Sequence, residues 1–165
     1  MISVSHLHFA SRRHVQWLVV QGSKLLLSRI DDVHYSEAGN RWDGIANRKL
    51  IAHPGRVFPF YGDCSSTATW LLWNGLAHEF GCADDVNGER WRGGFTGTMA
   101  GHGKLVRHDA DIRVGDLVLY GPPPTFEHVA VALGGGKVFS HGSEAGPFKL
   151  PIDYRPDRAE VRRYI

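Results

Sequence analysis

The chain has 165 residues, enough for one domain with one full hydrophobic core. Hydrophobic residues make up 42% and charged residues 22%, an ordinary globular balance that argues against a long disordered segment. A net charge of +2 without any block of Lys or Arg argues against a nucleic-acid partner.

The first residues, Met1-Ile2-Ser3-Val4-Ser5-His6, lack the basic-then-apolar layout of a signal peptide. No apolar run approaches the ~18 residues that span a bilayer, so no membrane insertion is expected. Synthesis in a cytoplasm without a signal peptide follows as the expectation. Val15, Leu18, Val19, Leu25 and Leu26 recur at helical spacing and predict a helix over 11–30, with Gly22-Ser23 as a bend or break. His6, His8 and His14 open this stretch. No cysteine or carboxylate nearby completes a metal-ligand set with them.

Residues 31–62 read as an aromatic loop carrying Tyr35, Trp42, Phe58, Phe60 and Tyr61 among glycines and prolines. A loop of that length either has a function or rests on its neighbours, and here it is expected to wall a groove. Next comes Asp63-Cys64-Ser65-Ser66, then Thr67-Ala68-Thr69-Trp70-Leu71-Leu72-Trp73, which predicts a helix over 64–77. Asp63 is a capping residue for free amides of the first turn. Cys64 then sits at the positive end of the helix dipole, which favours thiolate over thiol. Cys64 and Cys82 flank the helix, so a disulfide between its two ends is not expected. Residues 82–109 are glycine-rich and read as irregular, with a helix start near Phe95-Thr96-Gly97-Thr98-Met99.

From residue 110 the chain turns to strands. Arg113-Val114-Gly115-Asp116 is a turn leading into Leu117-Val118-Leu119-Tyr120. His128-Val129-Ala130-Val131-Ala132-Leu133, a triple glycine and Lys137-Val138-Phe139-Ser140-His141 form a hairpin signature. A last strand is expected near 160–164. Helices first and an antiparallel sheet after them make an α+β layout in one domain, residues 1–165.

The hairpin register decides which side chains meet. A two-residue loop at Gly134-Gly135 puts His128 opposite His141, with Cβ atoms about 4.5–5.5 Å apart. A loop at 135–136 makes them diagonal but still on one face. A three-residue loop puts them on opposite faces. With both histidines on one face, His128 can serve as base to Cys64, and His141 can fix its tautomer. The Cys64 N–H is then a natural oxyanion donor. A zinc site of Cys64, His128 and His141 is the rival use of the same residues.

Asp63-Cys64-Ser65, Gly115-Asp116-Leu117-Val118, His128-Val129-Ala130-Val131, the Gly134–Gly136 turn and His141 together resemble the NlpC/P60 family of papain-like cysteine peptidases. Ser66 stands where many members have glycine. A narrower resemblance, to the peptidase domains of actinobacteriophage endolysins, rests on His34-Tyr35-Ser36, Arg41-Trp42, Gly93-Gly94-Phe95-Thr96-Gly97-Thr98 and Ser140-His141-Gly142-Ser143-Glu144-Ala145-Gly146-Pro147. The resemblance implies a papain-like fold with the Cys helix packed on the sheet. Cys64, His128 and His141 become catalytic residues, and no metal or organic cofactor is needed. It implies bacterial peptidoglycan as substrate and an amide between D-glutamate (or D-isoglutamine) and diaminopimelate as the bond. A tyrosine on the oxyanion side is implied, Tyr35 first and Tyr61 second, with Asp63 and Ser65 contacting the stem peptide. Such a protein acts on the cell wall, from the host cytoplasm or on a virion, as a monomer. No separate wall-binding domain fits in 165 residues. An N-acetylmuramoyl-L-alanine amidase, a papain-like acyltransferase and a non-catalytic wall-binding phage component remain alternatives.

Overall fold

Helix α1 spans Val4–Ser28, starting earlier than its apolar pattern indicates. Val15, Val19 and Leu26 form its buried stripe. Gly22 does not break it. A Cβ there would come within 2.8 Å of the Leu71 side chain and 3.2 Å of the Trp70 ring, so glycine allows the close approach of the next long helix. The computed structural model describes residues 4–43, 58–80, 86–87 and 94–165. Cys82 and much of the aromatic loop lie outside the described residues.

Two short strands, β1 (His34–Tyr35) and β2 (Tyr61–Gly62), pair in parallel on either side of that loop. Trp42 and Phe58 are buried, while Phe60 and Tyr61 are exposed. Helix α2 follows at Cys64–Phe80, and α3 is a short helix at Thr96–Gly101. The rest is sheet: β3 (Lys104–Leu105), β4 (Leu117–Tyr120), β5 (His128–Gly134), β6 (Lys137–Ser140), β7 (Phe148–Pro151) and β8 (Arg158–Arg163). They form a six-stranded sheet in the order β3-β8-β4-β5-β6-β7, antiparallel throughout. The α+β layout is as expected.

Both faces of the sheet are covered. Leu117, Leu119, Val129, Val131 and Phe139 share one core with α1 and α2. Val118, Tyr120, Ala130, Ala132 and Val138 form a second core, closed by Leu150, Ile152 and Tyr154. This explains why β4 is buried at all four positions.

The β5–β6 hairpin departs from the expected register. Its turn falls at Gly135–Gly136, so Gly134 pairs with Lys137. One residue is then accommodated as a bulge at Leu133, and Ala132 pairs with Val138 and Val131 with Phe139. Gly134, Gly135 and Gly136 have φ of 82°, 58° and 66°, a conformation open to glycine three times in a row. The glycine run thus supplies both the turn and the bulge. The extra residue changes which later β6 positions share a face with His128. Ser140 joins His128 on the second-core face, and His141 turns to the helix side. The pairing of His128 with His141 is therefore not made.

Candidate active site

Asp63 starts α2 as a reciprocal cap. Its Oδ1 accepts the Ser66 N–H at 2.7 Å and the Ser65 hydroxyl at 3.0 Å. The Ser66 hydroxyl accepts the Asp63 N–H at 2.9 Å. The serine that departs from the family pattern thus completes the cap. Oδ2 is held by the Arg41 guanidinium, and Arg41 also reaches the Gly94 carbonyl at 3.4 Å. In this state Asp63 and Ser65 are buried and satisfied by one another, by the helix and by Arg41.

Cys64, the first residue of α2, is partly buried. The backbone N–H of Val129 hydrogen bonds to its sulfur, and the Thr96 hydroxyl lies 3.9 Å away. These contacts place the thiol at the start of β5. The β5–β6 pairing extends only to Val131–Phe139, whereas β4–β5 pairing continues to Tyr120–His128. The thiol therefore takes up an amide at the opened end of the hairpin.

His128 opens β5 and is 6% exposed. Its Nε2 lies 2.9 Å from Ser140 Oγ, which in turn lies 3.0 Å from the Tyr154 hydroxyl. The ring also packs near Tyr120 and Tyr154. A Cβ at Gly142 would come within 3.0 Å of the imidazole Cε1, so glycine gives the ring its space. Nδ1 makes no hydrogen bond among the described residues, which leaves it for a second partner.

His141 is buried elsewhere. Its Nδ1 lies 3.0 Å from the Thr67 hydroxyl on α2, and the edge of one ring meets the face of the other between His141 and Tyr35. Tyr35 gives its hydroxyl to Glu37 at 2.7 Å. Tyr61 instead tilts against His34, with ring centroids 5.7 Å apart. Glu144 ties the two loops together. It accepts the Tyr35 N–H at 2.7 Å and lies 2.9 Å from His34 Nδ1.

The protonation states differ from the expectation of a ready thiolate. Burial, and then the Asp63 carboxylate, push the Cys64 thiol above its usual range. The Val129 and Ser65 amides and the Thr96 hydroxyl pull it back only in part. His128 is pushed down to about 4, first by burial and then by the Arg155 guanidinium. Burial also lowers His141 to about 4. At neutral pH the pair is thiol plus neutral imidazole, suited to proton transfer during attack. The helix dipole does not outweigh the loss of solvent.

Among the described residues, no three His, Cys, Asp or Glu side chains gather as a metal site. Cys64, His128 and His141 therefore do not form the rival zinc arrangement. No described helix is long and apolar enough to cross a membrane. Reading the sequence missed Ser140, Tyr154 and Arg155. The glycine run was the signal for Ser140, since a run able to hold a bulge changes the register. No local pattern marks Tyr154 or Arg155.

No protein-family model and no curated protein matches the chain. Solved structures do. The NlpC/p60 domain of the peptidoglycan hydrolase SagA is 18% identical with a TM-score of 0.58, over 90% of this chain and 98% of that one. Rv1477, a hypothetical invasion protein of Mycobacterium tuberculosis, is 19% identical with a TM-score of 0.58, over 92% and 62%. NlpC2 from Trichomonas vaginalis is 19% identical with a TM-score of 0.53, over 88% and 46%. The chain thus spans about half to three-fifths of the last two. This likeness shows that the chain has the α+β, papain-like fold of NlpC/P60 domains.

Proposed function

We propose that this protein is a cysteine peptidase of bacterial peptidoglycan, with Cys64 as nucleophile and His128 as general base and acid. The observation that carries the reading is the thiol of Cys64, held at a capped helix start against the Val129 amide. The residue before Val129, His128, has one ring nitrogen hydrogen-bonded with Ser140 and the other uncommitted among the described residues. That arrangement lies in a fold shared with a domain of a peptidoglycan hydrolase.

The chemistry follows from the protonation states. His128 Nδ1 takes the thiol proton as the sulfur attacks an amide carbonyl carbon. The Cys64 N–H, with Tyr35 beside it, faces the oxyanion. The imidazolium returns the proton to the leaving amine, and a thioester remains on Cys64. Water, deprotonated by His128, then releases the acid and restores the thiol. The bond proposed is the stem-peptide amide from D-glutamate or D-isoglutamine to diaminopimelate. The biological setting proposed is a phage endolysin or tail-associated lysin acting on the wall. Substrate contact by Asp63 or Ser65 would require them to exchange their present partners.

Mass spectrometry of digested actinobacterial wall fragments tests this. New diaminopimelate amino termini are expected with the wild type and none with Cys64→Ala. Release of intact stem peptides from muramic acid would make it an amidase instead. Wall binding without cleavage would make it a binding protein.

A further inference from the structure

Resting on the proposed roles of Cys64 and His128, we infer that Tyr154 is a positioning residue which sets the polarity of the Ser140–His128 hydrogen bond. It would thereby hold His128 in the tautomer that can accept the Cys64 proton.

The argument is one of counting protons. Ser140 is 4% exposed, and its hydroxyl carries a single hydrogen. Its hydrogen-bond neighbours among the described residues are His128 Nε2 at 2.9 Å and the Tyr154 hydroxyl at 3.0 Å. A carboxylate or a side-chain amide oxygen in this place would accept from Nε2–H without ambiguity. A serine can either accept or donate. If Ser140 gives its hydrogen to Nε2, the imidazole carries its own hydrogen on Nδ1. Nδ1 then has no lone pair to take a proton from sulfur. If Ser140 gives its hydrogen to the Tyr154 oxygen, its Oγ accepts from Nε2–H, and Nδ1 is free as a base.

The second arrangement becomes obligatory once the thiol proton has moved. The imidazolium has hydrogens on both nitrogens, so Nε2–H must donate to Oγ, and the serine hydrogen needs another acceptor. Tyr154 supplies it. Burial raises the Tyr154 hydroxyl above its usual range, so it stays protonated, and its oxygen can accept from Ser140. The ring is held against Tyr120 at a centroid distance of 5.3 Å, which keeps the oxygen in place. The chain Nε2–H to Ser140 to Tyr154 transfers no net proton; only the donor directions matter.

Tyr154→Phe keeps the ring and removes the acceptor. In 15N-labelled full-length protein, with His128 assigned by comparison with His128→Gln, the wild type is expected to show His128 protonated at Nε2. Tyr154→Phe should shift it to Nδ1–H and lower kcat by about 100-fold, the scale of impaired general-base catalysis, with KM little changed. Ser140→Asn in the Tyr154→Phe background should restore Nε2–H and much of kcat, because its amide oxygen accepts without help. An Nε2–H signal and wild-type kcat in a folded Tyr154→Phe protein would overturn the inference and leave the hydrolase reading intact. A wild type that cleaves no wall bond would overturn the hydrolase reading, and the tautomer shift would still decide the role of Tyr154.

Discussion

Ser140 Oγ and His128 Nε2 lie 2.9 Å apart on one face of the β5–β6 hairpin, and the neighbouring His141 faces helix α2 on the other side. The bulge thus puts Ser140 on the face of His128, where a regular two-residue hairpin would put His141. Ser140→Ala should lower kcat/KM for wall fragments by about 10- to 100-fold. Its stability cost should stay near the ~1 kcal/mol of a lost hydrogen bond. His141→Ala should mainly destabilise, by about 2–4 kcal/mol, since it empties a buried site packed against Tyr35 and Thr67. Thermal melts and rates per folded molecule separate the two. The opposite ranking would return the orienting role to His141.

Much of this arrangement is legible in the sequence because it is local. Asp63 before an apolar helix, the continuous apolar run of β5 and a glycine turn each state their own geometry. That β4 is apolar at every position fits a strand covered on both faces. What is not legible depends on one residue of register. The run Gly134-Gly135-Gly136 allows several turns, and the bulge is selected by how the two strands pack, not by the turn itself. Arg41 and Tyr154 meet the site from 23 residues before and 90 residues after Cys64 along the chain, and no periodicity connects such positions. The protonation state is hidden for a similar reason. A helix start predicts an acidic thiol, but burial and the Asp63 charge act the other way.

That raised thiol has a kinetic consequence. Iodoacetamide should modify Cys64 slowly at pH 7, with the rate still climbing above pH 9. Asp63→Asn removes the negative charge that raises the thiol and leaves the Arg41 guanidinium without its anionic partner. Alkylation at pH 8 should then be several-fold faster. The weakened cap and the broken Arg41 pair should together cost about 3 kcal/mol of stability. Rates measured under pseudo-first-order conditions, with the modified peptide identified by mass, check both. A rate at pH 7 equal to that at pH 9 would mean the thiolate is already present.

The two buried histidines predict how pH acts on fold and activity. His128 and His141 are neutral in the folded chain down to about pH 4, whereas in the unfolded chain they titrate near 6.5. Between these values the unfolded state binds more protons, so stability falls as pH drops from about 6.5 towards 4. Their contribution is fully present above 6.5 and lost as pH falls through the folded value, on the order of a few kcal/mol together. The acid limb of kcat/KM should follow His128 and lie near pH 4, well below an ordinary histidine. Arg155→Gln removes the cation that lowers His128, and the limb should move up. Circular dichroism at each pH separates loss of the base from loss of the fold.

Asp116 allows the Gly115-Asp116-Leu117 motif to be assigned a structural role. Gly115 has a φ of 89°, and a Cβ there would come within 2.4 Å of Ile165. Asp116 is buried, accepts the Arg113 N–H at 2.8 Å, and receives Arg163 Nε and Nη2 at 2.8 and 2.7 Å. One carboxylate thus fixes the turn into β4 and the end of β8. The site is at the opposite end of β4, where Tyr120 pairs with His128. Asp116→Asn leaves the Arg163 guanidinium with half its partner and should cost about 3 kcal/mol. For a chain of this size that lowers Tm by about 6–12 °C. The rate per folded molecule at 25 °C should stay within about twofold, because the hydrogen bonds of His128 and Cys64 are untouched. A large loss of rate without a loss of Tm would instead put Asp116 in the chemistry.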